Sequence, residues 1–117
     1  MGDSCCDSRS IGAVRDHIAE LLGPGAFVHS ISSGQTAGSE SSDLWSSYFG
    51  DVNAQVARVC DELRSLPALR RGYVGVGFSQ GGQFMRAVAQ RCQHLGPRMH
   101  TLVTMGAQHQ GIMDVPG

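Results

Sequence analysis

Residues 72–84, Gly-Tyr-Val-Gly-Val-Gly-Phe-Ser-Gln-Gly-Gly-Gln-Phe, leave a chain few ways to fold. Tyr73, Val74, Val76 and Phe78 read as a buried strand, and Phe84, Ala87, Val88 and Cys92 recur at helical spacing. Strand must therefore become helix within the few residues around Ser79. So sharp a bend strains the serine backbone and brings strand and helix close, so a side chain at Gly77 or Gly81 is expected to collide with one of them. The bend lifts the Ser79 hydroxyl above the sheet edge. It also aims the Gln80 N–H and the start of the helix at the same point, an arrangement suited to attack on a carbonyl and to holding the resulting oxyanion.

A chain of 117 residues with 41% hydrophobic content supports one domain with a modest core. That is below the usual size of a complete α/β hydrolase. The formal net charge of −1 gives no reason to expect nucleic acid or an acidic surface as partner. No apolar run approaches the roughly 20 residues of a membrane helix, and the first residues lack the basic and apolar regions of a signal peptide. The four cysteines permit a disulfide framework, which would mean an oxidising compartment, or four reduced thiols; composition leaves both open.

Along the chain, Ser8 or Ser10 is placed to cap a helix whose Ile11, Val14, Ile18, Leu21 and Leu22 form one apolar stripe, ended by Gly23-Pro24-Gly25. Residues 26–31 read as a short strand. Residues 32–47 are rich in serine and glycine and read as a surface loop, with Leu44, Trp45, Tyr48 and Phe49 tethering it to the core. A second helix runs from Asp51 through Val56, Val59, Cys60, Leu63 and Leu66 to Pro67. The strand, bend and helix around Ser79 follow, and residues 101–106 form a further strand. Three strands alternate with three helices, the pattern of a short parallel sheet with helices on both faces in a three-layer α/β domain.

A serine hydroxyl needs a base, and in this fold class the acid and then the histidine follow the serine. After Ser79 the carboxylate is Asp114, and no histidine follows it. His94 and His100 fall in the helix-to-strand connection and read as solvated. His109, in Gly106-Ala107-Gln108-His109-Gln110-Gly111, follows a strand at the sheet edge where ligands bind and reads as a wall of the pocket. No group of His, Cys, Asp and Glu has metal-ligand spacing; adjacent Cys5 and Cys6 do not comfortably bind one zinc.

Four segments together carry a more specific likeness. They are Gly2-Asp3-Ser4-Cys5-Cys6, Asn53-Ala54-Gln55-Val56, the run from Gly77 to Cys92, and Gly106-Ala107-Gln108-His109-Gln110-Gly111. In order and spacing they closely resemble the palmitoyl-protein thioesterase family, over nearly the whole chain. The resemblance implies part of an α/β-hydrolase fold over residues 1–117, the half bearing the nucleophile. It implies a lysosomal or secretory-pathway serine hydrolase that cleaves long-chain acyl thioesters from S-palmitoylated proteins or peptides without metal or cofactor.

By the same resemblance Ser79 forms the acyl-enzyme, and the N–H groups of Gln80 and Met1 make the oxyanion hole. Disulfides Cys5–Cys6 and Cys60–Cys92 are implied as well. In the family a strand ending in His-Gly precedes the position of Met1, and the catalytic Asp and His lie beyond that of Gly117. The expectation is an internal portion of such an enzyme. Two other readings stand beside it: a non-catalytic acyl-binding or partner-binding remnant, suggested by the lack of triad partners, and a lipase or carboxylesterase using the same bend.

Overall fold

A computed structural model describes residues 9–32, 51–111 and 113. The chain divides into two units, Met1–Asp51 and Val52–Gly117, each described by itself.

In the first unit, α1 spans Ile11–Leu22. Ser10 occupies its N-cap position, yet the hydroxyl makes no capping hydrogen bond and is buried with no partner among the described residues. Gly23, at φ 82°, ends the helix, its N–H reaching back to the carbonyls of Ala19 and Glu20 at 3.1 and 3.3 Å. That left-handed stop is what glycine supplies. Of the expected apolar stripe, Ile11, Val14 and Ile18 are half-buried, while Leu21 and Leu22 are exposed. The strand expected over residues 26–31 does not form. An extended run becomes a strand only when it finds a ladder partner, and the sheet among the described residues has two strands, both in the second unit. Cys5, Cys6 and the Leu44, Trp45, Tyr48 and Phe49 tether lie outside the described residues.

The second unit holds α2 (Val52–Ser65), a 3-10 turn (Pro67–Leu69), β1 (Tyr73–Phe78), α3 (Gln80–Cys92) and β2 (Met99–Met105). Helices and a short parallel sheet make it a mixed α/β unit, compatible with part of an α/β-hydrolase fold. The strands pair in parallel, with Gly75 opposite Leu102, Val76 opposite Val103 and Phe78 opposite Met105. A parallel pair needs a long crossover, and α3 is that crossover.

The sheet buries its glycine side. Gly75 and Gly77 are buried, whereas Val74 and Val76, expected in the core, are 59% and 37% exposed on the opposite face beside Val103 and Met105. The expectation of helices on both faces is thus met on one face within the second unit. The reason is distance, because positions without a Cβ let α3 lie directly on β1. A Cβ at Gly77 would stand 2.6 Å from the Gly81 carbonyl oxygen and 2.7 Å from the Gly82 Cα. One at Gly82 would stand 2.5 Å from the Ala107 Cβ. At Gly81, where a collision was expected, a Cβ meets nothing within 4 Å, so the close contact falls one residue later in the helix.

Around α3 the core is Val56, Val59 and Leu63 from α2, Leu69, and Met85, Val88 and Cys92 from α3, with Met99 from β2. Met85 takes the buried position that helical spacing had assigned to Phe84, which is half-buried. The Cys60–Cys92 disulfide joins α2 to α3 with Cα atoms 5.4 Å apart, and Arg91 Nη1 donates to Asn53 Oδ1 at 2.6 Å across the same pair of helices. Burial raises the Tyr73 phenol above its usual 10.0. An acid whose folded pKa is raised stabilises the fold fully below the unfolded value and loses that contribution as pH rises through the folded one.

Three outcomes are expected of the full-length protein. In denaturant unfolding, Gly77→Ala and Gly82→Ala each cost about 1–3 kcal/mol or more by overpacking, while Gly81→Ala is neutral or slightly stabilising because alanine favours a helix. Replacing Cys60 and Cys92 together by alanine costs about 3–4 kcal/mol, for a crosslink separated by 32 residues. Thermal stability declines above about pH 10, and Tyr73→Phe removes part of that decline.

Candidate active site

Ser79 stands between the last residue of β1 and the first of α3, with φ 50° and ψ −125°. It has the sole positive φ of any non-glycine residue among those described. Such a conformation costs on the order of 1–3 kcal/mol and persists only where the surroundings over-determine it. Here both flanking peptides are held. The Ser79 N–H donates to the Met105 carbonyl at 2.8 Å, extending the β1–β2 ladder by one residue. The Ser79 carbonyl accepts from the Gly82 N–H at 3.0 Å in the first turn of α3. The side chain is left at the carboxyl edge of the sheet, half-buried, at the positive end of the α3 dipole. Gln80, the residue after the serine, opens that helix.

The second wall of the site comes from the turn after β2. Gly106, at φ 64°, reverses the chain as it leaves the strand, and the Ala107 methyl then packs over Gly82. The Gln108 carbonyl accepts from the Gly111 N–H at 3.1 Å and from the side-chain amide of Gln83 on α3. So pinned, Gln108 directs its own amide at Ser79, with Nε2 donating to Oγ at 3.4 Å. Its Oε1 is buried with no partner among the described residues.

The expected residues are thus only partly gathered. Ser79 and Gln80 stand at the junction of β1 and α3. His109 follows β2 at the same edge but is exposed, and its Nε2 is hydrogen-bonded to Thr104 Oγ1 at 3.2 Å rather than to Ser79. His100, expected in the connection before the strand, is instead its second residue, at the far end of the sheet from Ser79, with Nε2 3.0 Å from the Arg71 carbonyl. His94 is exposed after α3. Met1 and Asp114 lie outside the described residues, and among the described residues no group of three or more His, Cys, Asp and Glu side chains is placed to hold a metal ion.

Residue type alone does not single out Gln83 and Gln108. The signal that locates them is their placement. Gln83 is one helical turn beyond Ser79, and Gln108 is in the glycine-bounded turn at the carboxyl end of a parallel strand.

A serine raised on a strained strand-to-helix turn, beside a helix N-terminus, is an arrangement that presents an oxygen nucleophile to an acyl carbonyl. Comparisons with known proteins give the family. The family model described as palmitoyl protein thioesterase matches residues 1–117. Over 116 residues, 99% of this chain, the sequence is 41% identical to palmitoyl-protein thioesterase 1 of Caenorhabditis elegans. Over 78 residues, 67% of the chain, it is 37% identical to the palmitoyl-protein thioesterase-dolichyl pyrophosphate phosphatase fusion 1 of Schizosaccharomyces pombe. The chain spans 37% of the first relative's length and 12% of the second's. With the match running through both the bend at Ser79 and the turn at Gln108, this chain belongs to the palmitoyl protein thioesterase family.

Proposed function

We propose that the protein carrying this chain is a serine thioesterase that removes long-chain fatty acyl groups from the cysteines of S-acylated proteins. The observation that carries the reading is the backbone of Ser79, held at φ 50° and ψ −125° between β1 and α3. Family membership supports the substrate class.

In this reading Ser79 Oγ attacks the thioester carbonyl carbon, and its proton passes to a general base. The carbonyl oxygen becomes an oxyanion, met by the Gln80 N–H at the start of α3. Collapse breaks the carbon–sulfur bond, and the cysteine leaves as thiolate and takes a proton. Water then attacks the Ser79 ester, releasing the fatty acid and restoring the hydroxyl. The Gln108 amide does not serve as the base, because an amide nitrogen does not accept a proton at neutral pH. His109 is turned to Thr104. The base and its acid are therefore assigned to residues of the protein other than those described, as is the second oxyanion donor, for which Met1 is the candidate.

The Cys60–Cys92 bridge supports a lysosomal or secretory location, since disulfides persist in oxidising compartments. No helix among the described residues is long and apolar enough to cross a membrane.

The test compares the full-length protein with its Ser79→Ala variant, using a serine-directed fluorophosphonate, a palmitoyl thioester and the matching oxygen ester. The wild type is expected to be labelled and to hydrolyse the thioester, with kcat falling about 10⁴-fold or more in the variant. Equal labelling or equal turnover in both proteins overturns the assignment of Ser79. Preference for the oxygen ester replaces the thioesterase reading with that of a carboxylesterase. A wild type that binds a long-chain acyl ligand without turning it over is a binding protein.

A further inference from the structure

The whole-chain charge of −1 conceals an uneven distribution. Residues 52–117 hold seven of the nine arginines and three of the ten acids. Of those acids, Asp61 and Glu62 are already paired with Arg64 and Arg58. The parallel pairing then gathers three more arginines, because β1 and β2 start at the same edge of the sheet, the one opposite Ser79. Arg70 and Arg71 lead into β1, and Arg98 immediately precedes β2. Their backbones are joined there. The Tyr73 N–H donates to the Arg98 carbonyl at 3.0 Å, and His100 Nε2 is 3.0 Å from the Arg71 carbonyl. All three arginines are exposed, and none of their side chains has a hydrogen bond or ion pair among the described residues.

Beside them is an apolar cleft of about 360 Å³, walled by Leu63, Leu66, Leu95 and Pro97 and flanked by Arg64 and Arg70. A Cβ at Gly96 would stand 2.8 Å from Arg64 Cγ, so its absence lets the segment after α3 lie against the end of α2. Leu95, in the same segment, is 62% exposed. A small anion would use the guanidinium groups and leave these apolar side chains in water. Unpaired cations around exposed apolar surface suit the headgroup region of a bilayer, where phosphates meet the cations and the first carbons of the lipid cover the apolar groups. We propose that this edge of the sheet is a docking surface for a membrane bearing anionic phospholipid. The proposal does not depend on the role of Ser79. Docking by this edge leaves the serine at the other end of the sheet, open to an acylated peptide.

The experiment measures co-sedimentation of the full-length protein with vesicles of phosphatidylcholine alone and of phosphatidylcholine mixed with phosphatidylserine. The wild type is expected to bind the mixed vesicles and to release them as salt is raised. Arg70→Gln combined with Arg98→Gln weakens that binding by about fivefold for each arginine removed. Leu95→Ser weakens it too, as removal of an apolar contact should. Arg58→Gln combined with Arg86→Gln removes the same charge from the middle of α2 and α3 and leaves binding near the wild-type level. Melting temperatures confirm that the variants are folded. A wild type that ignores both vesicles, or binds them equally, overturns the proposal whatever the variants do. So does a control pair that loses as much binding as the Arg70 and Arg98 pair, since net charge alone would then explain it. Saturable binding of inorganic phosphate or of a duplex oligonucleotide, without binding to the mixed vesicles, assigns the edge to a soluble anion and overturns the membrane partner.

Discussion

Everything in the second unit depends on how closely α3 lies against β1. Because Gly77 has no Cβ, the backbone of the first turn of α3 can sit where a methyl group would be 2.6 Å from a carbonyl oxygen. The short bend that results leaves Ser79 no relaxed conformation, and the residue takes φ 50°. Strain alone does not keep a serine there. The ladder bond to Met105 and the turn bond from Gly82 hold its two peptides, and the apolar contacts around α3 hold the helix.

The same closeness shapes the neighbouring turn. Gly82 leaves room for the Ala107 methyl and the Thr104 side chain, and this places Gln108 over the serine. Gln83 fastens that turn to the helix, so the serine and the residue that touches it are both referenced to α3. Accuracy at such a site comes from anchoring the supporting residues to a rigid element, since a small displacement of a reacting group is costly in rate. α3 is kept in place by Val56, Val59, Val88 and the Cys60–Cys92 bridge, and on its sheet side by Met85, which with Met99 lies against Gly75.

Some of this was legible from residue order. The alternation of apolar residues with glycine before Ser79, and the helical spacing after it, specify strand, bend and helix, because each is a local pattern read over a few residues. The helix closed by Pro67 appears as α2, over Val52–Ser65. The side of the strand that faces the helix was not legible. Val74 and Val76 carry the hydrophobicity, but the pleat puts the glycines inward, and a hydrophobicity pattern has no way to weigh a missing Cβ as a reason for burial. Residues 26–31 have a strand's composition and no strand, because pairing depends on a partner far along the chain.

What the sequence by itself determined is the bend at Ser79 and the family to which the chain belongs, since both are written in short contiguous runs of residues. Which glycine takes the close contact, which way His109 turns and which side chain meets the serine hydroxyl were decided only by tertiary structure. Gln108 and Ser79 are 29 positions apart. Their meeting is set by the parallel register of β1 and β2 and by the turn at Gly106, geometry that arises only when the two strands are laid side by side.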